Sequence, residues 1–336
     1  MSRAHDRRTL LGLAVAGLAL LPFFCNPYYV IVLSSALALA IACLSLNLLL
    51  GYTGMLSLGH ALYFGVGAYT GAFLFTFGNL TSLELYLASG ILAAMVLASV
   101  FGALCVRATH IFFTILTLAL AKIVHSLVIS GIVFTPFGQV GRGFFFIGHG
   151  GLYLPRLTIA GSELEPDAFT TGLYYIILLA FLLSALLMWR IVRSPFGTAL
   201  RAIRDNDTRA AFIGIPVRTY RWAVFVIAAA FAALAGGLSG QVDRQITPQQ
   251  IDWLFSAQLV VATVLGGTRY FLGPVLGALI IVALREAALR FPLYHNLLLG
   301  VMLLGVVHSL RGGLADAAVR LINEIARYNH RWTFRR

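Results

Sequence analysis

The sequence predicts an all-α fold: a polytopic transmembrane bundle of about ten helices (8–10), with broken or re-entrant segments and both termini on the cytoplasmic side. Three observations carry the prediction. Of the 336 residues, 60% are hydrophobic and only 11% are charged, against about 25% charged in a soluble domain. Apolar runs of membrane-spanning length recur along the chain. The basic residues gather in alternate connections between those runs.

A helix needs about 20 apolar residues to cross the hydrocarbon core. Ten segments are read as spans: 10–25, 28–50, 57–77, 85–105, 111–133, 172–190, 221–240, 253–269, 272–290 and 293–310. The first follows Arg3, Arg7 and Arg8 and resembles a signal peptide. No small-x-small cleavage site follows it, so it reads as an uncleaved span. The pair 253–269 and 272–290 is interrupted by Gly266, Gly267, Gly273 and Pro274, which leaves a broken or re-entrant pair open as an alternative. Small residues at four-residue spacing, Gly67/Gly71, Gly236/Gly240 and Gly273/Gly277, predict close helix approach without naming the contact.

Orientation follows from charge. With the amino terminus inside, Arg3, Arg7, Arg8, Arg107, Arg269, the seven arginines of 190–221 and the six of the tail after 310 all fall inside. That is 18 of 23 arginines, and an even number of spans is required to keep both end clusters there. The 134–171 loop then lies outside, with Glu163, Glu165 and Asp167. The formal net charge of +12 is therefore a matter of topology and membrane lipid, not of nucleic acid, because no basic face runs along the chain. Cys25, Cys43 and Cys105 sit in or beside apolar runs without metal-ligand spacing, so no metal site or disulfide framework is expected.

Three segments carry polar residues that a simple bundle does not need. In 44–71, Asn47, Ser57, Gly59 and His60 are interleaved with helix-breaking glycines. Transport proteins use such broken backbone to line a cavity; ordinary tight packing, with His60 a satisfied interior residue, is the competing account. In 190–221, Ser194-Pro195 starts a helix and Gly214 and Pro216 end one. Ala199, Leu200, Ile203, Ala210, Ala211 and Phe212 form an apolar stripe, with Asp205-Asn206-Asp207 as a polar turn. A half-apolar helix of this kind lies on lipid or docks on a protein; the two aspartates favour a protein. Lys122 is the sole lysine and falls near the middle of 111–133. A central lysine costs about 2.5–3.5 kcal/mol on insertion scales. A substrate carboxylate is one compensation; snorkelling, or pairing with a group such as Glu286, is the blander and preferred one.

Absences narrow the class. No G-x-x-x-x-G-K-[ST], HExxH or GxSxG stretch occurs, and Glu286 is the one acid inside a predicted span. The chain has no nucleotide site, metal site or catalytic set of its own, so energy is expected from a separate chain.

The stretches 46–71 (LNLLLGYTGMLSLGHALYFGVGAYTG), 194–238 (SPFGTALRAIRDNDTRAAFIGIPVRTYRWAVFVIAAAFAALAGGL) and 260–280 (VVATVLGGTRYFLGPVLGALI) together resemble the LivM-type permeases of the branched-chain amino acid ABC importers, over about residues 30–310. The resemblance implies a single permease domain over 1–310 followed by a basic tail, 311–336. It implies a bacterial inner-membrane location and alternating access without chemistry in this chain. It implies as partners a LivH-like second permease subunit, two cytoplasmic ATPase subunits that bind ATP-Mg, and a periplasmic substrate-binding protein. It makes 195–214 the coupling loop, with Ala199, Arg201, Ala202, Ile203, Arg204, Asp205, Asn206, Ala210 and Gly214 toward the ATPase. Asn47, Ser57, Gly59, His60 and Lys122 are the substrate-pathway candidates. The chain departs from the family at Lys122 and at 134–146, and urea and short-amide permeases share the YTGxLSLGH stretch, so a neutral substrate stays an alternative. A passive channel or an intramembrane enzyme is the rival of another class.

Overall fold

The computed structural model describes residues 16–24, 26–78, 82–108, 111–129, 152–154, 157–158 and 165–289, with isolated positions between 294 and 304. The tail 311–336, the first residues of the 10–25 segment and most of the 134–171 loop lie outside the described residues, as does most of the 293–310 segment.

The described chain is almost wholly helical. Helix α1 covers 16–24 and is tied to α6 (Pro166–Arg193): the Tyr174 and Tyr175 hydroxyls donate to the Leu18 and Ala19 carbonyls at 2.5 and 3.1 Å. Helix α2 (Pro27–Thr53) starts on a proline at its first turn, where the missing N–H costs no hydrogen bond. It is apolar on all sides and buried almost continuously from Ala36 to Leu49, the pattern of a helix enclosed by others. It ends at Gly54, whose φ of 74° is open to glycine without penalty. Gly51, expected to interrupt the helix, lies inside it.

The segment predicted to be helical from 57 begins only at His60. Residues 54–59 are not helical, and α3 runs His60–Gly78. Helices α4 (Leu83–Cys105) and α5 (Ile111–Ile129) follow. They expose Leu92, Val96 and Val100, and Ile111, Phe112 and Ile115, which is the outer face expected of a bundle whose solvent is lipid. Two short helices, α7 (Pro195–Asp205) and α8 (Asp207–Phe212), lead into α9 (Val217–Asp243), the second enclosed helix, which packs on α2, α3 and α4.

Helix α10 (Trp253–Gly266) and helix α11 (Gly273–Leu289) form a tight pair. At 1.5 Å per residue α10 is about 21 Å long, short of the roughly 30 Å hydrocarbon core. Among the described residues, five helices (α2, α4, α5, α6 and α9) are long and apolar enough to cross a membrane. Besides a single bridge between Ser82 and Thr158, the extended pairing among the described residues is a two-residue antiparallel ribbon: β1 (Leu152–Tyr153) pairs with β2 (Gln245–Ile246), Leu152 opposite Ile246. It joins the 134–171 loop to the end of α9.

The small-residue pairs find definite partners. A Cβ added at Gly67 would lie 2.1 Å from the Ala233 carbonyl oxygen, and one at Gly236 would lie 1.8 Å from that of Phe64. Helices α3 and α9 therefore cross backbone to backbone. Gly71 lies under the Tyr86 ring, Gly240 beside the Tyr86 hydroxyl, and Gly273 and Gly277 against the backbone of 266–267 and Ala262.

Candidate functional site

The interior candidates collect where the helices break. Residues 54–59 run back into the bundle from the end of α2. Thr114 of α5 donates to the Leu56 carbonyl at 2.8 Å, and a Cβ at Gly59 would strike the Thr117 carbonyl oxygen at 2.4 Å. Only glycine lets the chain pass α5 so closely. His60, 1% exposed, shares a 2.8 Å hydrogen bond through Nε2 with Ser45 Oγ on α2. The next residue, Ala61, donates its backbone N–H to Ser256 Oγ, in the first turns of α10, at 2.8 Å. The amino-terminal ends of α3 and α10 thus meet inside the bundle, with Ser256 of α10 capping α3.

Ser57 Oγ, His60 Nδ1 and both amide atoms of Asn47 are buried without a protein hydrogen-bond partner. Leaving such groups dry costs about 1–3 kcal/mol each, so buried polar atoms in this number mark a wet or ligand-accepting interior. Asn47 lies one turn before Gly51 on α2, where an added Cβ would meet Asn47 Oδ1 at 2.3 Å and the Thr268 carbonyl oxygen at 2.9 Å. The turn between α10 and α11 therefore rests on the last turn of α2.

Lys122 does not pair with Glu286. Glu286 accepts from the Tyr28 hydroxyl, and Lys122 Nζ lies 2.7 Å from Asp252 Oδ1. The reason is the turn after β2. A short 3-10 turn, Pro248–Ile251, carries the chain back toward α3 and α5, and Asp252 caps α10 by accepting from the Trp253 N–H at 2.8 Å. Asp252 is thus delivered to α5 from a connection the sequence reading ended outside the spans. An aspartate directly before an apolar run is an N-cap signal; nothing in the sequence links it to a residue 130 positions earlier. Ser45 and Ser256 were missed for the same reason, as long-range partners.

The second region is 190–221. Ser194 caps α7, accepting from the Gly197 N–H, and Asn206 caps α8, accepting from the Arg209 N–H at 2.9 Å. The expected single helix with a polar turn is two helices hinged at Asn206, which is extended (φ −164°). Leu200, Ile203 and Ala210 are buried against the bundle, whereas Ala199 and Ala202 are half-buried. Phe212 does not belong to the buried stripe: it is 87% exposed, and Ile213 beside it 74%. Six residues of α8 cannot turn both Ala210 and Phe212 inward. Gly214 follows with φ 88° and nothing around it.

Two polar links fasten this region to the bundle. Arg204 donates from Nη1 to the Gly51 carbonyl at 2.7 Å and from Nε and Nη2 to its neighbour Asp205. Arg221, 8% exposed at the start of α9, pairs with Asp207 of α8 at 3.1 Å. Arg201 turns back to the Gly197 and Val192 carbonyls at 3.4 and 3.3 Å. A polar cavity of about 250 Å³ lies between the two links, lined among others by Gly54, Asp205, Asn206 and Arg221.

Residues 28–307 match the family of permease components of the branched-chain amino acid transport system. The chain is 28% identical to the high-affinity branched-chain amino acid transport permease LivM of Escherichia coli K12 over 305 residues, 87% of this chain and 70% of that one. It is 28% identical to LivM of Salmonella typhimurium over 316 residues, 89% and 72% of the two chains. The permease LivH of Escherichia coli K12 is more distant, at 26% over 245 residues and 72% and 79% of the chains. No solved structure matches.

Proposed function

Because the chain belongs to the permease component family of the branched-chain amino acid transport system, we propose that it is a membrane-spanning subunit of an ATP-driven importer for branched-chain or other small amino acids. It works in a bacterial inner membrane, beside a LivH-like second permease subunit, two cytoplasmic ATPase subunits that bind ATP-Mg, and a periplasmic substrate-binding protein. The chain performs no chemistry; it passes substrate by alternating access.

The observation that carries this reading is the build of α7 and α8. A free helical pair on a surface connection needs no link to the core, yet Arg204 reaches the last turn of α2, directly before the non-helical 54–59 stretch. Ile203 and Ala210 anchor the pair, while Phe212, Ile213 and Gly214 are exposed. Of the coupling candidates, Ala199, Ala202, Ile203 and Ala210 hold the loop, Arg204 transmits, and Arg201, Asp205, Asn206 and Gly214 present the surface toward the ATPase. Closure of the ATPase pair on ATP pushes this surface, and the push arrives at the joint that leads to Asn47, Ser57, Gly59 and His60.

The topology is consistent with the arginine distribution at either span count. If α10 and α11 each cross, the chain crosses ten times; if they form a re-entrant hairpin, it crosses eight times. Both keep the two ends and the 190–221 loop inside. The test is a single cysteine at position 208, on the exposed surface of α8, in a cysteine-free background. It should react with a membrane-impermeant maleimide only in inside-out vesicles. Labelling in intact cells would refute the reading.

A further inference from the structure

We infer that the Lys122–Asp252 ion pair is a zwitterion-recognition element of the translocation path: it opens to take the α-carboxylate of a passing amino acid on Lys122 and the α-ammonium group on Asp252. The inference rests on the proposed importer function and assigns the site and the charge pattern of its substrate.

The geometry begins with where the pair sits. Lys122 lies in the second half of α5, eleven residues past Ile111, on a helix whose outer face is Ile115, Ala119 and Ile123. The Lys122 side chain is 44% exposed and that of Asp252 15%. Lys122 lies three residues past Ala119 and seven past Ile115, on the same exposed flank of α5. Hydrocarbon stabilises neither charge, so the pair needs water or polar protein against that flank. His125, one turn further along α5, is half-buried, so the polar strip is longer than the pair alone.

The surroundings provide a second, independent observation. Asp252 caps α10, and α10 meets the first turn of α3 through the Ala61–Ser256 hydrogen bond. His60, at that same turn, is 1% exposed with Nδ1 unpartnered, and Gln250 Oε1, two residues before Asp252, is buried and unpartnered as well. Unpaired donors and acceptors next to a separable ion pair describe an acceptor for a small polar molecule better than a structural clamp. The pair is the charged contact where α5 meets the turn after β2.

The chemistry selects the class of ligand. An amino acid carries one anionic and one cationic group on a single carbon, so it can replace each partner of the pair with the other's charge and leave no buried charge unmatched. A neutral amide or urea cannot. A carboxylate without an ammonium group leaves Asp252 facing like charge.

The experiment uses the importer assembled with its partner subunits in lipid nanodiscs without the binding protein. Trp253, adjacent to Asp252, is the reporter. Millimolar L-leucine should change its fluorescence saturably, and the change should vanish in a Trp253→Phe control. Leucinamide, which lacks the carboxylate, and 4-methylpentanoate, which lacks the ammonium group, should each bind at least tenfold more weakly. In proteoliposomes of the same assembly, with the binding protein outside and ATP inside, uptake should fall at least tenfold in Lys122→Gln and in Asp252→Asn, and the double variant should be no better than either single one. A double variant that regains wild-type uptake would reduce the pair to a clamp and overturn the inference, as would equal binding of acetamide. The thermal midpoint of each purified complex separates misfolding from lost recognition. If the wild-type assembly takes up no amino acid on ATP, the importer reading itself fails; if it does and the single variants match it, this inference alone fails.

Discussion

Gly236→Ala tests the packing on which the interior site depends. The new Cβ would lie 1.8 Å from the Phe64 carbonyl oxygen, 2.6 Å from its carbonyl carbon and 3.0 Å from its Cα, so backbone and not a movable side chain is in the way. Ordinary contact begins near 3.4 Å, so α3 and α9 must part by about 1.5 Å, a displacement of the kind that costs roughly 1–3 kcal/mol in a packed interior. Phe64 is one turn beyond His60. Moving that turn by such a distance stretches the Ser45–His60 and Ala61–Ser256 hydrogen bonds, both 2.8 Å, and each adds about 1 kcal/mol when lost. The expected total is about 3–5 kcal/mol, against a native stability of only about 5–15 kcal/mol for a typical protein. The assay is the thermal midpoint of the purified subunit in detergent, with yield as a second readout. Gly300→Ala, at a position with nothing within 4 Å, is the control. A Gly236→Ala protein with the yield and midpoint of wild type would refute the backbone-to-backbone crossing and the account of the site built on it.

Further outcomes follow from the coupling region. Arg204→Gln removes the 2.7 Å bond to Gly51. With the side chain 42% exposed the loss is about 1 kcal/mol after screening, so ATP hydrolysis should persist while uptake per ATP falls about fivefold, read as a coupling ratio in proteoliposomes. Phe212→Ser combined with Ile213→Ser should leave the subunit's thermal midpoint unchanged, because both side chains are exposed, and should lower recovery of the ATPase in pull-down. Asp207→Asn should cost about 1–3 kcal/mol, because it leaves Arg221, 8% exposed, without its counter-charge. Adding Arg221→Met should recover most of that loss in the same unfolding assay. Gly214→Val puts a β-branched residue at φ 88°. It should strain the loop by about 1–2 kcal/mol and uncouple hydrolysis from uptake without loss of the assembled complex.

The family itself was readable from three stretches, and so were the helices, because length and apolarity are local properties. The ends of α7 and α8 were readable in part, since Ser194, Pro195 and Gly214 act on their own backbone. Phe212 was misassigned because a periodic stripe assumes one unbroken helix, and the kink at Asn206 rotates α8 relative to α7.

What the sequence alone determined is therefore the solvent of the fold, its helical content and its kinship, all consequences of composition and short-range pattern. What only the tertiary structure decided is which polar residue meets which. Lys122 finds Asp252 and not Glu286, His60 finds Ser45 and stands beside the start of α10, and Arg204 finds Gly51. These contacts join residues 15 to 195 positions apart. In a bundle they are set by which helices lie side by side, and that choice is made by glycine-lined close packing over whole helix faces, a sum no local window contains.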